Sequence, residues 1–180
     1  MKNTVAVRFL AISLLMVGGC AASARMGQMA VTADTVQPIA SPLRDTIGVK
    51  DVSGGEKTNP LWTSEIGNEE FRGALESSLK SAGLLEKAKD EGKYSLSATL
   101  EKVDQPIFGF STTVTTQVKY ALTEKTSGKE VYQESISGQY TAKMSDSFYG
   151  PKRLRIANEG AARVNIETMI KKLSQLNLAR

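Results

Sequence analysis

Three consecutive stretches of alternating apolar and polar residues constrain the fold of this chain more than any other feature. They cover residues 93–101, 114–123 and, with a less regular pattern, 132–140. Alternation with a period of two is typical of a strand with one face buried and the other in water. Short connections, such as the turn Thr126–Lys129, join the stretches. Parallel neighbours would need crossovers of about a dozen residues or more, so these stretches predict an antiparallel meander.

Further elements flank the meander. Residues 46–52 have the pattern of a strand, and apolar residues at helical spacing predict a helix over residues 68–82. Pro151 opens a second amphipathic helix that extends to about residue 176. Strands with one apolar face need apolar helices to cover that face. The order therefore predicts an α+β two-layer sandwich, in which a mainly antiparallel four-stranded sheet carries both helices on one face.

The first twenty residues have the organisation of a bacterial signal peptide. Two basic side chains precede residues 9–17, an apolar run too short to span a bilayer. Val17–Cys20 resembles the lipobox of bacterial lipoproteins, in which the chain is cut before a Cys that is then lipidated. Cys20 is the only cysteine, so we expect cleavage between Gly19 and Cys20 and lipidation of Cys20. The alternative is an incidental buried thiol near an ordinary cleavage site.

The residue after the predicted anchor bears on localisation. Ala21 follows Cys20, and this resembles the sorting pattern of enteric bacterial lipoproteins that reach the outer membrane. We therefore expect an outer-membrane protein, anchored through lipid, whose domain faces the periplasm.

Residues 20–44 are rich in Ala, Ser, Thr, Gln and Pro. They show no sustained periodicity, and Pro38 and Pro42 argue against a helix or a central strand. Three parts are therefore expected. Residues 1–19 form the signal peptide, residues 20–44 the lipidated Cys with a flexible tether, and residues 45–180 the sandwich domain.

Composition excludes several functions. The chain of 180 residues has no His and one Cys, which rules out a Ser-His-Asp triad, a His-ligated zinc site and a disulfide framework. The formal net charge of +4 includes Lys2 and Arg8 of the signal peptide, and the balance is too small to indicate nucleic acid. Nucleotide-binding and hydrolase motifs are missing. We therefore expect no cofactor, no metal and no enzymatic activity.

Two loops are apolar where loops are usually polar. They join the second strand to the third and the fourth strand to the last helix, and a meander places both at the same end of the sheet. One hypothesis is that they fold back over the open end of the sandwich as a satellite core. The other is that they contact a protein partner or an acyl chain, with basic residues nearby suited to an anionic group. The candidate contact residues are Phe108, Phe110, Phe148, Tyr149, Lys152, Arg153 and Arg155.

The lipobox, the tether and the order of elements together resemble a group of small bacterial envelope lipoproteins. The group includes the plug lipoprotein of the lipopolysaccharide translocon, the YajG-type lipoproteins and the auxiliary lipoproteins of envelope lipid transporters. This resemblance implies a non-catalytic accessory or scaffold in envelope assembly or transport, with an envelope protein as partner. A lipid-binding periplasmic carrier is the alternative, and an envelope hydrolase with converging carboxylates is a remote one.

Overall fold

The computed structural model describes residues 21–36, 41–59, 63–106 and 109–176. These residues form a four-stranded sheet and three helices. The elements are α1 (Met26–Met29), β1 (Ile47–Ser53), α2 (Asn68–Ser81), β2 (Tyr94–Asp104), β3 (Thr112–Glu124), β4 (Glu130–Ala142) and α3 (Gly150–Ser174). The α+β class is therefore confirmed, whereas the count of two helices is wrong because α1 was not predicted.

The sheet has the strand order β1-β2-β3-β4. Strands β2, β3 and β4 form the predicted antiparallel meander. Strand β1 lies parallel to β2, with Ile47 opposite Tyr94, so the sheet is mixed. The physical reason is that residues 54–93 contain α2 and form a crossover long enough to return the chain to the same end of the sheet.

One face of the sheet carries the helices. Phe71 and Leu75 of α2 and Ile166 of α3 lie on the apolar sides of their helices and are fully buried. They belong to one cluster with two residues of the sheet, Leu96 and Tyr120. Helix α2 ends before Gly83, whose φ of +71° is a left-handed conformation that glycine adopts without strain. The opposite face of the sheet presents polar side chains to solvent.

The segment predicted as a flexible tether is packed on the domain over most of its described length. Ala24, Met29 and Val31 are buried in the main core, and the Val31 amide donates to Ser78 Oγ of α2 at 2.8 Å. Burial of a side chain such as Met stabilises by about 1.5–3 kcal/mol. The tether prediction is thus wrong for residues 21–36, because irregularly spaced apolar residues can fill a groove without any periodic signal.

Some predictions fall outside the described residues. These include the signal peptide, the lipobox with Gly19 and Cys20, and Phe108. Among the helices that the structure describes, none is both long and apolar enough to cross a membrane.

Candidate contact surface at the loop end of the sheet

Large apolar side chains are exposed at the end of the sheet where β3 begins and β4 ends. Thr112 and Ala142, the first and last residues of these strands, lie opposite each other, so the two predicted loops do share one end. Phe110 is 82% exposed and Phe148 is 84% exposed. We use the name aromatic loop surface for the exposed side chains of Phe110, Met144, Phe148 and Tyr149.

Arg153 of α3 holds the two loops together. Its guanidinium group donates to the carbonyl oxygen of Ser147 at 2.8 Å and to that of Gly109 at 3.0 Å. Longer bonds of 3.4 and 3.3 Å reach the Phe148 carbonyl and Thr112 Oγ1. Arg153 is only 7% exposed. It therefore acts inside the domain and does not present its charge at the surface, as a contact residue would.

The loop between β4 and α3 is ordered by its own hydrogen bonds. The Lys143 amide donates to Asp146 Oδ2 at 2.7 Å, and the Tyr149 amide donates to Ser147 Oγ at 3.2 Å. The backbone that carries Phe148 is therefore fixed at both ends.

The hypothesis of a satellite core built by the loops is wrong for the described aromatic side chains. A small second cluster already closes this end of the sandwich, and it consists of Val114, Ala142, Ala157 and Ala161. Phe110 and Phe148 project away from that cluster into solvent. Exposed aromatic side chains on an ordered backbone above a closed core are typical of a contact surface.

The predicted basic residues have three different environments. Lys152 is exposed beside the aromatic loop surface, as is Lys143. Arg155 is largely buried, and its Nε atom lies 3.7 Å from Glu159 Oε1 without a hydrogen-bond partner. Of the three predicted cations, only Lys152 is therefore open to an anionic group.

The N-terminal segment joins the domain at the same end. Glu159 of α3 is only 3% exposed and accepts three hydrogen bonds from Arg25, from its amide at 3.0 Å, Nε at 2.9 Å and a terminal nitrogen at 3.1 Å. The hydrogen bond to Glu159, and then its charge, raise the pKa of Arg25. The chain is also held just before Arg25, because Ser64 Oγ donates a hydrogen bond to the Ala22 carbonyl at 2.6 Å.

Ser64 also links this junction to the loops. Its carbonyl accepts from Gln105 Nε2 at 3.1 Å and from Asn158 Nδ2 at 2.6 Å. Gln105 belongs to the connection that leads to Phe110, and Asn158 lies on α3. Sequence reasoning missed this network and the Arg25–Glu159 pair, because polar residues at ordinary spacing give no signal of the partner they meet in the fold.

The remaining buried polar residues have structural partners. Tyr120 Oη donates to Asn165 Oδ1 at 2.8 Å, and Asn165 Nδ2 donates to the Ile136 carbonyl at 2.6 Å. Burial raises the pKa of Tyr120 well above its ordinary value, so this hydroxyl stays neutral. Within the part of the chain that the structure describes, no three acidic or cysteine side chains converge to hold a metal ion.

A cleft of about 400 Å³ lies at the opposite end of the sheet, near the turn between β3 and β4. Its lining includes Gly48, Glu86, Ser95 and Lys125. Glu86 and Lys125 form an ion pair of 3.2 Å across it. The cleft also contains Asp90 and Glu124, and it is remote from the aromatic loop surface.

The fold and this surface define a two-layer α+β domain with an exposed aromatic end beside its N-terminus. No protein-family model matches the chain, and none of the curated proteins matches it.

Several solved bacterial structures are similar to this chain. A Xanthomonas campestris protein of the DUF330 family is 11% identical, covering 75% of this chain and 88% of its own, with a TM-score of 0.55. A Caulobacter crescentus protein described as a lipoprotein is 14% identical, with 70% and 87% covered and a TM-score of 0.49. A minor lipoprotein of Acinetobacter baumannii is 8% identical, with 69% and 92% covered and a TM-score of 0.39. The first of these shows a shared fold, and at such identities no activity follows. The resemblance to the plug and YajG-type lipoproteins stays a prediction.

Proposed function

We propose that the protein is a lipid-anchored envelope protein that acts without catalysis, as an accessory or scaffold in cell-envelope assembly or transport. Cys20 is the proposed anchor in the outer membrane, and the domain faces the periplasm. The lipobox Val17–Cys20 supports the anchor, and Ala21 supports the outer membrane as its location.

The attachment of the N-terminal segment to the domain carries this proposal. Ala21 is only 7% exposed, and the next residues are held by the Ser64–Ala22 and Arg25–Glu159 hydrogen bonds. A lipid on Cys20 would therefore be joined to a rigid body with no free chain between them. Such an anchor fixes both the position and the orientation of the domain, which suits a scaffold.

The interior of the domain favours a scaffold over a lipid-binding carrier. Leu96, Tyr120 and Ile166 occupy the space between sheet and helices, and all three are fully buried. A carrier would need an open apolar cavity of several hundred Å³ at that place. The clefts near the β3–β4 turn and beside the end of β2 lie instead at the surface, outside this packed interior.

The placement of acidic side chains supports a non-catalytic role. Glu159 is the carboxylate buried deepest among the described residues, and Arg25 occupies both of its oxygens. Glu86 and Glu124 line the cleft near the β3–β4 turn, and each is held in an ion pair, with Lys125 and Lys93 respectively. A hydrolase based on two carboxylates would need one of them to have a raised pKa, whereas hydrogen bonds lower the pKa of both Glu86 and Glu124.

Membrane fractionation of cells that express the full-length protein tests the anchor. We expect the wild-type protein in the outer-membrane fraction, with an N-terminal Cys20 that carries acyl chains by mass spectrometry. The Cys20→Ser variant should lose the acyl mass and leave the membrane fraction. An unmodified Cys20 in the mature wild-type protein would contradict the proposal.

In-cell photocrosslinking tests the accessory role. A photoreactive amino acid at Ser135 or Ser137, which are exposed on the open face of the sheet, should capture a discrete envelope protein in the lipidated protein. The Cys20→Ser background is the matched control, and there the capture should be lost. Failure of both positions to capture any protein from correctly anchored molecules would count against a scaffold.

A further inference from the structure

The aromatic loop surface and the start of the domain belong to one end of the molecule. Ser64 bonds Ala22 and is bonded by Asn158 of α3. Arg153, which binds both loops, precedes Asn158 by five residues, or about 7.5 Å along the helix axis. The aromatic side chains and the point where the chain leaves the domain toward Cys20 are therefore close neighbours.

No flexible segment separates the proposed lipid anchor from the folded domain. Cys20 precedes the buried Ala21 by one peptide bond, and bonded Cα atoms are about 3.8 Å apart. A lipidated Cys20 places its acyl chains in the bilayer, so the end of the domain that surrounds Ala21 has to lie against the headgroups. A flexible tether would have removed this restriction, but residues 21–36 are packed on the domain.

The side chains at this end have the chemistry of a membrane interface. Tyr is enriched where the acyl region meets the headgroups, and Phe is common on protein surfaces that enter this boundary. Phe110, Phe148 and Tyr149 are exposed here. Lys143 and Lys152 are exposed beside them, with Asp146 as the acid of the same loop. Arg153 lies beneath these side chains and fixes the two loops that carry them.

We propose that the aromatic loop surface inserts into the headgroup region of the same phospholipid bilayer that holds the Cys20 anchor. This inference rests on the anchor proposed above. The domain then contacts the membrane at two points, lipid and loops, and the opposite end with the β3–β4 turn points away from the membrane. A protein partner is left to the polar face of the sheet.

Site-directed spin labelling can test the insertion, because lipidation consumes the only native cysteine. The full-length chain with Phe110→Cys or Phe148→Cys is purified in its processed form and placed in vesicles of equal parts phosphatidylethanolamine and phosphatidylglycerol. Both side chains are exposed, so the labels should not disturb folding, and circular dichroism checks this. Thr126→Cys, in the exposed turn at the other end of the sheet, is the matched control.

We expect collisions of the two loop labels with a water-soluble nickel chelate to fall several-fold relative to the control, while collisions with oxygen stay high. Acylated protein whose loop labels are as open to nickel as the control would overturn the insertion and leave the anchor intact. Dipolar broadening between labels, with both collision rates low, would indicate a second copy of the chain on this surface and also overturn it. An unacylated protein would overturn the anchor and the insertion together.

Discussion

Arg153 allows a quantitative test of how the loops are held. The Arg153→Met variant keeps an apolar stem of similar length and removes all four hydrogen bonds of the guanidinium group. The two short bonds, at 2.8 and 3.0 Å, each contribute about 1.5 kcal/mol as charge-assisted bonds. The bonds at 3.3 and 3.4 Å are long and add little. We expect the free energy of unfolding to fall by about 3 kcal/mol, or the melting temperature to fall by about 6–12 °C.

Urea unfolding followed by circular dichroism measures this loss, and amide hydrogen exchange shows where it acts. Exchange should accelerate in residues 109–112 and 143–149, which Arg153 joins, and less in the sheet. Lys152→Met on the adjacent, exposed position is the control, and it should change stability by no more than about 0.5 kcal/mol. Equal stability losses for the two variants, or unchanged exchange in both loops, would show that Arg153 does not hold them.

Three further predictions concern packing and pH. Met29→Ala should lower the free energy of unfolding by about 2–5 kcal/mol because it leaves a cavity in the core, and Met26→Ala on the exposed side of α1 should lower it far less. Equally small losses for both variants would show that this segment is a flexible tether after all. Gly160→Ala should cost about 1–3 kcal/mol because a Cβ atom there meets the Tyr140 ring, whereas Gly150→Ala in the same helix has open space and should be near neutral. The pKa of Glu86 is lowered because, although burial raises it, hydrogen bonds from the Gly92 and Asp90 amides and from Lys125 outweigh burial. The stability that Glu86 contributes is therefore complete above its ordinary pKa of 4.5 and is lost as the pH falls through the lower pKa of the folded state. In the Glu86→Gln variant the free energy of unfolding should fall less steeply with acid than in the wild type. The same pH dependence in both proteins would refute this.

The meander was predictable because its evidence is local. In β2 and β3 the alternation of apolar and polar residues follows the burial pattern along each strand, and a connection as short as that between β3 and β4 leaves only the antiparallel arrangement. The start of α3 near Pro151 was predictable for the same reason, since proline is favoured in the first helical turn. Such signals depend on residues a few positions apart.

The features that the sequence did not predict are contacts between residues far apart in the chain. Met29 and Val31 are buried in the main core, where α1 contacts α2 and α3. The spacing of apolar residues in residues 21–36 does not indicate this burial, because it follows neither a helical nor a strand period. Likewise, Arg153 and Lys152 are neighbouring cations, and only the fold buries the first and exposes the second. The aromatic residues of the loops were recognised because large apolar side chains in a loop stand out by type alone.

The bond between Arg25 and Glu159 joins residues that are 134 positions apart. Contacts of that separation form late in folding, because structure made earlier has to offset the entropy cost of closing so long a loop. The segment around Arg25 is thus among the last parts of the chain to find its place, because α3 has to form before Glu159 can receive it. If acylation takes place while the chain is still being exported, the Arg25–Glu159 contact forms when this end of the domain is already held at the membrane. The bilayer is then part of the environment in which folding is completed.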